Sequence, residues 1–406
     1  MRNRSIWNLL FLISAGVLAG FFLVSGWQEI NPEWRGYQVQ YFRQVRQITG
    51  QPAADPGIAI RQIHLPEFNR TDRCVTCHMG IDNPRMKEAP QPFTTHPDLG
   101  IDGFLGAHDF TQIGCTVCHQ GQGQATTVEA GHGHEKHWEY PMLPPGLTVA
   151  NCASCHGDVA TLPGAEMLVR GRELFEEKGC IGCHSLNGWG NPIAPELADT
   201  AGKNVHQFDF RHVEGEHTVV DWIVEHFKDP QKVTPADPAL GVPESSMPDY
   251  ELTDEEVMAL TALVLSFSAE AGNPIFPVPH RFKVPGKPAP EPVYASSVEH
   301  GKAVYEKYGC AACHGFAGRG GIPNKNMDLG GEAPTLVYVS RGYTREELKQ
   351  VIQHGRFPAR ALADEPPPPL WMPAWEQKLS DEELEVLMDY LISLEPKDAA
   401  PAGKEG

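Results

Sequence analysis

The pattern of apolar and polar positions divides the chain before any chemistry is considered. From Ile6 to Gln28 no residue is charged, and Ile6, Trp7, Leu9, Leu10, Phe11, Leu12 and Ile13 lead on to Phe21, Phe22, Leu23 and Val24. About 20 such residues cross a hydrocarbon core as a helix, and Trp7 and Trp27 stand where interfacial aromatics do. Arg2 and Arg4 precede the run, so the N-terminus is expected in the cytoplasm and the rest of the chain outside. A cleaved signal peptide would have a shorter apolar region and a small-residue cleavage site. Val24-Ser25-Gly26 imitates one poorly, so residues 1–28 are expected to form an uncleaved transmembrane anchor.

Beyond it, residues 29–57 read as a juxtamembrane helix and linker. Asn31-Pro32-Glu33 predicts the helix start, with Asn31 as cap and Pro32 in the first turn. Trp34, Tyr37, Tyr41, Phe42 and Val45 then recur at helical spacing. Such a stripe packs on its own domain or docks on a membrane partner. Residues 58–160 contain few long helical runs. In 161–270 and again in 294–395, amphipathic patterns end in helices opened by capping boxes, Thr253 to Glu256 and Ser380 to Glu383. Val257, Leu260, Leu263 and Val264 mark the core face of one, and Leu384, Leu387, Met388 and Leu391 that of the other. Residues 271–293 form a Pro-rich, semi-stiff linker, and 396–406 a small, charged tail expected to be disordered. The fold class predicted is mainly α with much irregular loop.

The chemistry lies in one repeated motif. Cys180-Ile181-Gly182-Cys183-His184 has four counterparts, at Cys74/Cys77/His78, Cys115/Cys118/His119, Cys152/Cys155/His156 and Cys310/Cys313/His314. All ten cysteines fall in these motifs. Cys-x-x-Cys-His is the attachment signal of c-type haem: two thiols add across the porphyrin vinyl groups and the adjacent histidine reaches the iron. A zinc site would need ligands gathered in fours and would leave one motif over. A disulfide framework would not place histidine after every second cysteine. Five covalently bound haem c groups are therefore expected, with His78, His119, His156, His184 and His314 as proximal ligands.

Three motifs fall within residues 58–160, which read as a compact tri-haem cytochrome module. Six further histidines lie there: His64, His96, His108, His132, His134 and His137. The candidates for distal ligands are His96, His108, His132 and His137, of which three should bind iron; Met79 and Met142 compete as soft ligands. The formal net charge is -19, which excludes nucleic acid as a partner and can attract a basic soluble cytochrome. Hydrophobic residues make up 41%, with 36 prolines and 40 glycines. That balance suits a chain whose cores are largely porphyrin, the covalent haem standing in for missing apolar core.

The two C-terminal segments repeat each other. Gly171, Phe175, Glu176, Gly179 and Cys180 match Gly301, Tyr305, Glu306, Gly309 and Cys310; Ala194-Pro195 matches Ala333-Pro334; Met247-Pro248 matches Met372-Pro373. Each half resembles a class I cytochrome c domain. The resemblance implies an N-terminal helix crossing a C-terminal one at Gly171 or Gly301. It also implies a proline carbonyl (Pro195, Pro334) steadying the proximal histidine, and Met247 and Met372 as distal ligands. Met258 and Met388 sit at core spacing within helices and are read as packing; Met327 follows His314 too closely to loop over the haem.

Two function classes compete. An electron carrier has every iron six-coordinate; a haem enzyme (a peroxidase, or a nitrogen- or sulfur-compound oxidoreductase) keeps one iron open. The supply of ligands favours the carrier. The overall plan resembles cytochrome subunits of quinol-oxidising membrane complexes, alternative complex III or cytochrome b-type. That implies a single-pass protein of the cytoplasmic (inner) membrane with its haems on the periplasmic side. It would relay electrons from membrane quinol-oxidising subunits to a soluble or oxidase-bound cytochrome c acceptor, with the lipid bilayer as a further partner. Tetrahaem quinol dehydrogenases share the layout but carry methionine two places after the first motif's histidine, whereas Met79 follows His78 directly. The anchor reading is checked by N-terminal sequencing of membrane-extracted protein, which should begin at Met1 or its neighbours. A start near Trp27 would show that the segment is removed.

Overall fold

The computed structural model describes residues 2–53, 57–97, 108–136, 138–157, 159–198, 200–237, 244–271, 278–284, 292–328 and 330–396. Its longer helices are α1 (Arg2–Ile30), α2 (Glu33–Thr49), α3 (Glu166–Glu177), α4 (Val219–Lys228), α5 (Asp254–Ala271), α6 (Ser297–Lys307), α7 (Arg345–His354) and α8 (Asp381–Ser393). Two short antiparallel pairs join Ile63–Leu65 to Arg70–Asp72 and Ser185–Leu186 to Trp189–Gly190. Most of the remaining described chain is loop and single 3-10 turns. The fold is mainly α with much irregular loop, as the sequence predicts.

Contacts divide the chain into two units, Met1–Leu143 and Pro144–Gly406. In the first, α1 has 29 residues and so a length of about 43 Å at 1.5 Å per residue, more than a hydrocarbon core requires. Its apolar side chains are exposed, with Phe22 at 72% and Leu23 at 77%. Asn31 departs from its predicted role: its amide donates back to Trp27 O at 3.1 Å, and Pro32 is the residue that caps α2. The aromatic stripe of α2 turns inward. Tyr41 and Val45 are buried with Met86, Ala89 and Phe93, and Tyr37 and Phe42 pack against them. Gln38, fully buried, ties α2 to the first Cys-x-x-Cys-His turn by donating to Thr76 O at 3.0 Å. The stripe is therefore spent on its own unit rather than left for docking.

The second unit holds the repeated halves and also the third motif. The 3-10 segment Leu147–Ser154 buries Leu147 and Ala150 and packs on α5. Val284 then pairs with His156, its N–H donating to Cys155 O at 2.6 Å. The first two motifs thus share one unit and the third joins the halves that follow. In each half the first helix crosses the last, α3 on α5 and α6 on α8. The crossings are at glycine: a Cβ on Gly171 would come within 2.3 Å of Ala259 O, and one on Gly301 within 1.9 Å of Val386 O. Capping boxes open α4 and α7, at Thr218 and Thr344, as well as α8. The predicted linker lies mostly outside the described residues.

The crossing predicts a clear mutational contrast. Gly301→Val should destabilise the holoprotein by roughly 1–3 kcal/mol or more, the usual cost of overpacking. Gly36→Ala, with nothing within 4 Å of its added Cβ, should be stabilising by about 0.5–1 kcal/mol. Thermal unfolding of the two variants beside the parent checks the sign of both.

Candidate haem sites

Each attachment motif closes one turn of backbone in the same way. The histidine N–H donates to the carbonyl of the motif's first cysteine, from His78 to Cys74 and His156 to Cys152 at 2.9 Å. The same bond runs from His119 to Cys115, His184 to Cys180 and His314 to Cys310 at 3.0 Å. The second cysteine bonds to that carbonyl as well. The N–H of Cys77 reaches Cys74 and that of Cys155 reaches Cys152 at 3.1 Å, with Cys118 to Cys115 and Cys183 to Cys180 at 3.2 Å and Cys313 to Cys310 at 3.3 Å. Cysteines three apart and a histidine one further along therefore emerge from a single turn, as two thioether bonds and one iron bond to the same porphyrin require. Among the described residues no three His, Cys, Asp or Glu side chains gather around one point.

In the first unit, buried Asp72 holds the second motif in place. Its carboxylate accepts from Cys115 N at 2.6 Å, Thr116 N at 2.9 Å and Thr116 Oγ1 at 2.9 Å. Arg70 donates to the same Thr116 hydroxyl at 3.3 Å. Burial lowers its guanidinium pKa to about 10, with Asp72 and then Cys118 opposing the shift. The motifs meet through sulfur: Cys115 is hydrogen-bonded to Cys74, and this bond with burial pushes its thiol pKa well up. The two predicted haem thiols of the second motif are thus placed differently. Cys115 meets the first motif, while Cys118 lies half-buried within reach of the Arg70 charge.

Two pairs of imidazole rings lie close together here, one tilted and one edge to face. The centroids of His78 and His132 are 6.4 Å apart, and those of His96 and His119 are 6.2 Å apart. Two imidazole nitrogens each about 2 Å from one metal, with ring centres about 1 Å behind them, give roughly 6 Å centre to centre. Each pair thus joins one motif histidine to one predicted distal histidine at the spacing an iron between them needs. Burial, then His132 and His119, lowers the pKa of His78; burial, then His96, lowers that of His119. Both imidazoles are held neutral, the form that binds metal. His134 lies beside His132, centroids 6.4 Å apart. His64 is turned to Thr71, its Nδ1 3.2 Å from the hydroxyl. His108 is half-buried ahead of the short helix Phe110–Ile113, and His137 lies outside the described residues.

In the second unit the proline loops stand where the resemblance implies. His184 Nδ1 is 2.7 Å from Pro195 O and His314 Nδ1 is 2.9 Å from Pro334 O. A proton on Nδ1 donated to that carbonyl fixes the ring and leaves Nε2 for the iron. Burial lowers both pKa values, with the proline carbonyls opposing it. A cavity of about 330 Å³ opens beside His314, lined by Cys310, Cys313, Tyr305, Trp375 and both Met327 and Met372. This size suits a cofactor pocket, and its thiols, fixed imidazole and apolar walls fit a haem. Met372 is pinned by paired bonds with Arg356, at 2.8 and 3.0 Å. Met327, which the sequence places too near His314, does line the cavity; its sulfur accepts from Asn324 at 3.4 Å, leaving Met372 as the freer ligand. In the other half, Met247 O accepts from Gln231 at 2.5 Å, and Met247 N donates to Ser245 Oγ at 3.2 Å.

Sequence reasoning missed His226 on α4. It stacks on Trp222 at 4.5 Å and its Nδ1 is buried without a partner. Burial, then His184, lowers its pKa to about 4. Aligning the capping boxes at Thr218 and Thr344 places His226 at the position of Ile352, which lines the cavity of the last domain. That alignment was the available signal.

The cytochrome c family model matches residues 168–268, and that of cytochrome c oxidase, cbb3-type, subunit III matches residues 296–391. The C subunit of nitric oxide reductase from Stutzerimonas stutzeri is 36% identical over 93 residues, 23% of this chain and 52% of that protein. The chain spans about half the length of this curated relative. No solved structure matches. The last two domains are cytochrome c domains, which implies covalently bound haem c in each.

The ring pairs generate a direct check. His132→Ala in the holoprotein should remove one bis-histidine low-spin signal from the low-temperature EPR spectrum, and His64→Ala should leave the spectrum as it was. Unchanged signals in His132→Ala would contradict the pairing.

Proposed function

We propose that the chain is a membrane-anchored pentahaem electron relay. The observation that carries this reading is the provision of ligands on both sides of the iron positions. His132 faces His78, His96 faces His119, and a histidine fixed on a proline carbonyl shares its cavity with Met372. An iron held on both sides passes single electrons and binds no substrate.

The chain's residues also set the order of potentials. Axial methionine raises the potential of a haem, and bis-histidine haems lie lower. The bis-histidine positions are on the anchor's side of the chain, and Met247 and Met372 serve the two cytochrome c domains. Potential then rises along the chain from its N-terminal to its C-terminal haems. Electrons would enter from membrane quinol-oxidising subunits, of cytochrome b or alternative complex III type, and leave to a soluble or oxidase-bound cytochrome c on the periplasmic side. The likeness to one part of a nitric oxide reductase supports a membrane redox complex as the setting. The exposed apolar surface of α1 supports single-pass anchoring in the cytoplasmic membrane.

A redox titration tests this order. Three haems should titrate low and two high, and Met247→His should lower one of the high group alone. Five haems of one potential, or a Met247→His variant with no shift, would sink the scheme.

A further inference from the structure

The contact between the two cytochrome c domains is built on an internal two-fold. Aligning Gly179-Cys180 with Gly309-Cys310 makes Ala312 the counterpart of Gly182 and Cys313 that of Cys183. A Cβ on Gly179 would lie 2.6 Å from Ala312 N, and one on Gly309 would lie 2.3 Å from Gly182 N. These are one contact repeated from both sides, the reciprocity of an isologous interface. Cys183 and Cys313, each the other's counterpart, touch through a hydrogen bond between their sulfurs, so they lie on the axis. Glu176 and Glu306 occupy equivalent places in α3 and α6; burial and, against the opposing Arg172, the Glu306 charge raise the pKa of Glu176.

Glycine makes this approach possible. Gly179 and Gly309 adopt φ of +71° and +65°, which side chains disfavour, and a Cβ on Gly182 would stand 2.1 Å from Gly309 O. Outer contacts lock the face. Asn191, fully buried, donates to Gly182 O at 3.0 Å and accepts from Lys378 Nζ of the other domain at 2.8 Å. Lys325 pairs with Glu244 across the same pair of domains.

We propose that this face is an electron junction, in which Cys183 and Cys313 bring the porphyrin edges they hold into van der Waals contact. The inference rests on the reading that both domains carry haem c. Once each sulfur is a thioether its proton is gone, and sulfur meets sulfur directly. The exchange the contact serves is of one electron: one iron goes from ferrous to ferric as the other goes from ferric to ferrous, with no bond made and no proton moved. The last domain is thus wired in place, and it does not have to swing on its linker to collect its electron.

Soret circular dichroism of the full-length holoprotein, compared with Gly182→Val, isolates this junction from haem contacts elsewhere in the chain. The parent should show a bisignate signal whose amplitude falls in the variant while its haem content stays unchanged. Identical spectra from the two proteins would overturn the proposal. Should Gly182→Val fail to fold, Lys378→Ala, which releases an outer contact, should weaken the signal. EPR of the oxidised parent adds a measurement that needs no variant: spin–spin broadening of the signals from these two domains is expected, and its absence would equally refute the junction. If the couplet is present but the holoprotein passes no electrons to any soluble cytochrome, the relay reading fails and the junction stands.

Discussion

One constraint governs this molecule: two cysteine sulfurs and an imidazole must leave the backbone from the same turn. The bond from the motif histidine N–H to the first cysteine carbonyl, repeated at 2.9–3.0 Å in all five motifs, is how the chain meets it. Everything else positions those turns. Asp72 caps one, Gln38 ties another to α2, Val284 returns to a third, and the helix crossings at Gly171 and Gly301 set the last two. A short turn has little apolar surface of its own, so the stabilisation comes from these polar ties and from helices packed behind it.

The same economy shapes the electrostatics. The motif histidines His78, His119, His184 and His314 are half-buried and their pKa values lowered by desolvation, which holds them neutral and ready for metal. In the last two domains proline carbonyls settle which nitrogen keeps the proton. The net charge of -19 makes the protein as a whole strongly acidic. Such a surface suits a basic partner.

Much of this was legible in the sequence because it is local. The apolar run at the N-terminus, the motifs, the capping boxes at Thr253 and Ser380, and the Met-Pro and Ala-Pro repeats each need only a few neighbouring residues. What escaped was long-range. The pairing of His78 with His132 spans loops whose path no periodicity records. The different surroundings of Cys115 and Cys118 depend on Cys74 and Arg70, 41 and 48 positions away. The box opening α4, and with it His226, is hard to see in sequence because Asp221 is a shorter partner than the Glu or Gln such boxes favour. Proximity in sequence groups the third motif with the first two, whereas burial of Leu147 and Ala150 draws it to α5. A semi-stiff linker separates the two halves in sequence, the glycines that dock them are about 130 positions apart, and only their counterpart positions hint that they meet.

The central claim is that the irons are closed and the protein relays electrons rather than transforming a substrate. Carbon monoxide added to the fully reduced holoprotein tests it most directly, since the gas binds ferrous haem only where an axial position is open or readily given up. The account predicts a Soret band unchanged by the gas at neutral pH. A carbon monoxide adduct on one of the haems would contradict it and point to an open, reactive iron.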